Sequence, residues 1–125
     1  MIDKFKGNLF LTKHEKVYRL VELKKSIESN QIDKDCINFL YKFNRINWLC
    51  TTQCCSGHDG LKTPYIDIRI SLPFEKFFTK CKEISHNFSI QILCLEELMP
   101  SFCFWFDQNL TWQEGSNILL YHFKK

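Results

Sequence analysis

Ten consecutive residues, Thr51-Thr52-Gln53-Cys54-Cys55-Ser56-Gly57-His58-Asp59-Gly60, concentrate most of the reactive side-chain types in this chain. Seven of the ten carry a hydroxyl, thiol, imidazole or carboxylate, and they follow an apolar stretch directly. The two glycines permit a tight turn with backbone N–H groups facing outward, an arrangement that can cradle an anion. Three chemistries fit these residues. Thiolate and imidazole are zinc ligands, which makes Cys50, Cys54, Cys55 and His58 a candidate metal set, although their spacing matches no standard zinc knuckle. Strict strand alternation would place Cys50 and Cys54 on one face and Cys55 on the other. A thiolate is also a nucleophile when an imidazole or converging amides activate it. Cys55 with His58 as base, oriented by Asp59, is the candidate catalytic pair. Finally, the amides, the hydroxyls of Thr52 and Ser56, Gly57 and His58 can hold a phosphate-bearing or otherwise polar ligand, with Cys55 alongside. The alternative to all three is a turn whose polar groups satisfy only local backbone.

Other residues bear on the same site. In Pro64-Tyr65-Ile66-Asp67-Ile68-Arg69-Ile70, strict alternation puts Tyr65, Asp67 and Arg69 opposite the isoleucines. If that strand lies beside the motif strand, Arg69 can assist His58 in contacting an anion. Trp105 and Asp107 share a face, and Trp105 can stack on a base or be buried. His122 reads as a hydrogen-bonded sheet histidine. Lys24, Lys25, Lys124 and Lys125 read as solvated.

The elements that must position these groups follow from pattern. Thr12-Lys13-His14-Glu15 has the form of a capping box, and Val17, Leu20, Val21 and Ile27 recur at helical spacing, predicting a helix over residues 13–29. Asp33 can cap a second helix ending near residues 44–47. Residues 48–54 are rich in strand formers. Pro73 suits a helix start, and Phe74, Phe77, Phe78, Cys81 and Ile84 continue that helix toward His86. Residues 88–96, 102–106 and 117–123 read as three further strands, with residues 107–116 as a polar hairpin connection. The expectation is one α+β domain over residues 1–125. A mostly antiparallel five-stranded sheet would carry about three helices packed on it.

With 125 residues, 45% apolar and 25% charged, the composition is that of a folded globular chain rather than a disordered or repetitive one. A formal charge of +3 is too small to argue for nucleic acid by itself. No apolar run is long enough for a transmembrane helix, and the first residues do not read as a signal peptide. Seven cysteines, an odd number, read as thiols in a reducing cytoplasm. Cys36, Cys81, Cys94 and Cys103, each within an apolar segment, read as core. Twelve Phe and three Trp imply an aromatic core, and their number makes a homodimer plausible.

Residues 47–58, from Asn47-Trp48 into Thr51-Thr52-Gln53-Cys54-Cys55-Ser56-Gly57-His58, resemble the Thr-Thr-x-Ser-Cys-Ser-Gly-Arg/His signature of the wybutosine-synthesising tRNA methyltransferase-like family. The segment is also similar to short bacterial and phage proteins with Ser-Cys-x-Gly-His, in which a Pro-Tyr-type strand follows, as Pro64-Tyr65-Ile66 does here. The likeness covers about residues 33–70. Cys54 stands where the family has its first Ser, and His58 where its tRNA-modifying members have Arg. The resemblance implies a related fold and a site at the same loop. Carried through to activity, it implies a tRNA-modifying methyltransferase-like enzyme using S-adenosylmethionine, with Cys55, Ser56 and His58 essential. Two other expectations stand beside it. One is a binding protein holding a nucleotide or modified-nucleoside-like ligand at residues 54–60, in a pocket shared with the polar sheet face. The other is a structural or interaction module without a ligand.

Overall fold

The computed structural model describes residues 8–58, 60–93 and 99–125. The expected orienting role of Asp59, the core placement of Cys94 and the end of the strand predicted over residues 88–96 lie outside the described residues. The element order is α1 (Lys13–Glu28), α2 (Lys34–Phe43), β1 (Leu49–Cys55), β2 (Tyr65–Ile70), α3 (Phe74–Lys82), β3 (Phe88–Leu93), β4 (Ser101–Phe106) and α4 (Trp112–Lys124). The strands form one antiparallel sheet in the order β1-β2-β4-β3.

The fold class is α+β, as expected, but the described residues contain four strands and four helices. Residues 117–123, expected as a fifth strand, belong to α4. Residues 107–116, expected as a hairpin connection, contain that helix's start: Thr111 and Glu114 form a reciprocal capping box there. Gly115, Leu119 and Phe123 fall on the buried side at helical spacing. Gly115 is required by packing, because a Cβ there would lie 2.3 Å from the Phe106 ring.

Ile66, Ile68 and Ile70 point to one face with Phe102, Phe104 and Phe106. Phe39, Leu40, Phe43, Phe77, Leu119 and Phe123 of α2, α3 and α4 cover that face. Phe77 packs among Phe102, Phe104 and Phe123, so aromatic edges and faces fill the layer. Cys36 and Cys81 are buried here as expected, while Cys103 is buried on the other face.

A β-bulge interrupts β1. Thr51 pairs with Ile68 and Gln53 with Asp67, so Thr52 is the extra residue. The bulge shifts the alternation. Cys50, opposite Arg69, lies on the outer face, whereas Cys54, opposite Ile66, points into the helical layer. The shared face expected for Cys50 and Cys54 is therefore corrected: Cys50 and Cys55 share the outer face. Asn44, the C-cap of α2, supports the strand just before the bulge. Its side chain accepts from the Thr51 N–H at 2.9 Å and donates to the Thr51 hydroxyl at 2.9 Å.

Candidate functional site: the β1–β2 loop and the outer sheet face

Asp33 organises the loop. One carboxylate oxygen accepts from the Asp35 N–H at 3.1 Å and caps α2. The other accepts from the Ser56 N–H at 3.3 Å and from the Ser56 hydroxyl, and lies 3.8 Å from His58 Nδ1. Burial alone would raise this carboxyl. The hydrogen bonds from Ser56 and Asp35, with the charge of His58, outweigh burial and hold it below the usual carboxylate range. The sequence marks Asp33 as a helix cap only. Its second oxygen serves a residue 23 positions away, which no local pattern reveals.

Gly57 and His58 both have positive φ, at 87° and 50°. Gly57 has no alternative: a Cβ would lie 2.5 Å from the Lys62 carbonyl oxygen. The Lys62 N–H donates back to the Gly57 carbonyl at 2.9 Å, closing the loop. The Gly57 N–H donates to Cys55 Sγ at 3.4 Å. The amides of Ser56 and Gly57 are thus engaged within the chain, and an anion would have to rely on other donors. His58 stands exposed, with 52% of its side chain accessible.

The expected residues separate into an exposed set and an internal set. Cys55 is half-buried on the outer face and His58 turns toward Asp33, with no hydrogen bond between the two among the described residues. Ser56 and Gly57 are buried and shape the turn. Thr52 donates to the Asp67 side chain and backbone. Arg69 does not reach the loop at all. It is 1% exposed, and its guanidinium is taken up by Glu15 and by the carbonyls of Asn8, Leu9, Phe10 and Pro100. Its expected role beside His58 is therefore corrected to an anchor at the other end of β2. The four candidate metal ligands also diverge, Cys54 donating to Cys36 and Cys50 facing outward. Among the described residues no three His, Cys, Asp or Glu side chains gather as metal ligands.

The outer face extends the site beyond what the motif contains. Cys55 pairs with Tyr65, Tyr65 with Trp105, and Trp105 with Ser89, forming a row across all four strands. The Tyr65 and Trp105 rings lie 4.8 Å apart, and the indole N–H donates to Gln91 at 3.1 Å. Neither ring is fully buried. Beside the row, Asp67 is 5% exposed. One of its oxygens accepts from Thr52 and from Ser101 at 3.1 Å, and the other has no hydrogen-bond partner. Burial raises its pKa, against the pull of those hydrogen bonds and of Arg19. Burial also pushes the Cys103 thiol up to about 12, with Asp67 adding to the effect. On the helical side of the loop, a cleft of about 740 Å³ is lined by Ser56, Gly60, Lys62, Trp112, Asp35 and Asp107. Its two carboxylates against one lysine make it a poor receptor for an anion.

The four-stranded antiparallel sheet, with α2, α3 and α4 packed on one face and the start of α1 reaching Arg69 on the other, defines an α+β protein with a candidate site on the loop at one sheet end. The fold is similar to that of the PH1069 protein from Pyrococcus horikoshii, with a TM-score of 0.58 over 90% of each chain at 13% sequence identity. No protein-family model matches the chain, and no curated protein matches it. Among the described residues no helix is long and apolar enough to cross a membrane.

Proposed function

We propose that this protein binds a nucleotide or modified-nucleoside-like ligand at residues 54–60, with the base lying on the outer sheet face. The observation that carries the reading is the row from Cys55 through Tyr65 to Trp105, which joins the motif loop to a partly exposed aromatic pair. Bases stack on such rings whatever their sequence, at about 1–3 kcal/mol per base. His58 and the Cys55 thiol contact the polar end of the ligand. Gln91, held by the indole N–H, offers amide groups beside the rings. The protein works in a reducing cytoplasm, a reading supported by six free cysteines among the described residues. A homodimer fits the exposed Val17 and Val21 on α1 and is tested by sedimentation at two concentrations.

Isothermal titration of the purified chain against nucleosides, nucleotides and S-adenosylmethionine tests the reading. Saturable binding of a nucleoside or nucleotide is expected. It should weaken about tenfold or more in Trp105→Ala and fall also in His58→Ala. Absence of binding at millimolar concentration defeats the proposal and leaves an interaction module. The alternative drawn from the motif resemblance is a tRNA-modifying methyltransferase-like enzyme. It takes over if S-adenosylmethionine binds and its methyl group is transferred to tRNA.

A further inference from the structure

We propose that Cys36 and Cys54 form a dithiol site that oxidises to an intramolecular disulfide, fastening the first turn of α2 to β1. The Cys54 thiol donates to the Cys36 sulfur at 3.1 Å. The two residues lie on different elements, with Cys36 fully buried and Cys54 half-buried on the helical side of β1. The bulge creates the juxtaposition, because it turns Cys54 away from the outer face and toward α2. A depression of about 320 Å³, lined by Thr52, Gln53 and Cys54 with Tyr18, Arg19 and Ser26, gives a small oxidant access to the Cys54 side. Cys36 lies three residues after Asp33, the residue that holds Ser56 and faces His58. A covalent link at Cys36 therefore fixes the support of the loop as well as the helix.

The oxidant is a small disulfide such as oxidised glutathione. Cys54 loses its proton to solvent, and the thiolate attacks one glutathione sulfur. The glutathione S–S bond breaks, a mixed disulfide forms, and one glutathione leaves as a thiolate that takes up a proton. Cys36 then loses its proton and attacks the Cys54 sulfur, releasing the second glutathione. Two protein thiols are oxidised to one disulfide, and one small disulfide is reduced to two thiols. The contact with Cys36 and then burial raise the Cys54 thiol well above its usual range. The thiolate is the attacking form, so exchange at Cys54 is slow.

The test incubates the full chain with oxidised glutathione under native conditions and maps tryptic peptides without reduction. Residues 35–42 are expected joined to residues 46–62 through Cys54. The link should persist in Cys55→Ser and vanish in Cys54→Ser and in Cys36→Ala, with the folding of each reduced variant checked by circular dichroism. A closed loop of this size should raise the thermal midpoint of the oxidised protein by about 10 °C. The proposal is overturned if no intramolecular link forms in the native protein, or if it forms only after unfolding in denaturant. It is equally overturned if the link runs through Cys50 or Cys55, or if oxidation lowers the midpoint. None of these outcomes depends on ligand binding.

Discussion

At each end of the β1–β2 pair, a carboxylate from the start of a preceding helix reaches a polar group on the hairpin. At one end Glu15, in the first turn of α1, meets Arg69 through two bonds of 2.9 and 2.8 Å and Arg19 through one of 2.7 Å. At the other end Asp33, the cap of α2, meets Ser56 and faces His58. The first cluster is closed. Glu15 is 0% exposed, and four backbone carbonyls complete the shell around Arg69. The second is open, with His58 in solvent. A closed charge cluster fixes a structure because each group is already satisfied. An open one keeps donors and acceptors that a ligand can still use.

Substitutions that break each cluster should differ accordingly. Glu15→Ala strands a buried guanidinium and should cost about 3–5 kcal/mol in urea unfolding. A cost near that of a surface pair would refute the closed description. Gly57→Ala meets both the positive φ and the Lys62 carbonyl, and should cost about 2–3 kcal/mol while reducing ligand affinity. Asp33→Ala removes a helix cap and the two Ser56 bonds, for about 1–2 kcal/mol. Because its folded pKa is lowered, the stabilisation by Asp33 is complete above the unfolded carboxyl value of about 4 and fades as pH falls below it. Acid unfolding of Asp33→Ala should therefore start from a lower stability and show a shallower loss. Asp67 has the opposite sign. Its pKa is raised, so its contribution is greatest below about pH 4 and declines as pH rises through the folded value. The stability of the native protein relative to Asp67→Asn should decrease over that rise, and an increase would show that the carboxylate is better paired than its neighbours suggest. The smallest stability effect belongs to His58→Ala, within about 0.5 kcal/mol. Calorimetry should nevertheless show the ligand affinity falling, which separates open from closed most sharply.

Much of the fold was legible where local pattern and tertiary demand agree. The alternation of Ile66, Ile68 and Ile70 predicted β2, and Asp33 marked the start of α2. Thr111-x-x-Glu114 carries the same kind of signal for α4. The run Asn117-Ile118-Leu119-Leu120-Tyr121 looks like a strand when read without its cap. Glu15 misled in the reverse direction. It satisfies the spacing of a capping box, and its N–H does donate to Thr12 at 3.1 Å, but its carboxylate is committed to Arg69, 54 residues away. The motif loop was legible as a candidate site, but the roles within it were not. Ser56 and Gly57 hold the loop through partners that only the fold brings near, and the Tyr65–Trp105 pair depends on a strand order that the sequence does not spell out.

The extra residue at Thr52 makes β1 two strands of opposite parity spliced end to end. Deleting Thr52 would remove the bulge and leave Gln53, Cys54 and Cys55 opposite the same partners, whereas pairing all seven residues as an even ladder from Leu49 would exchange the faces of Cys54 and Cys55. One thiol would trade the helix for solvent and the other would trade solvent for the helix. The bulge is thus a parity offset of one residue: the strand keeps its faces when Thr52 is lost and inverts them when its full length is straightened.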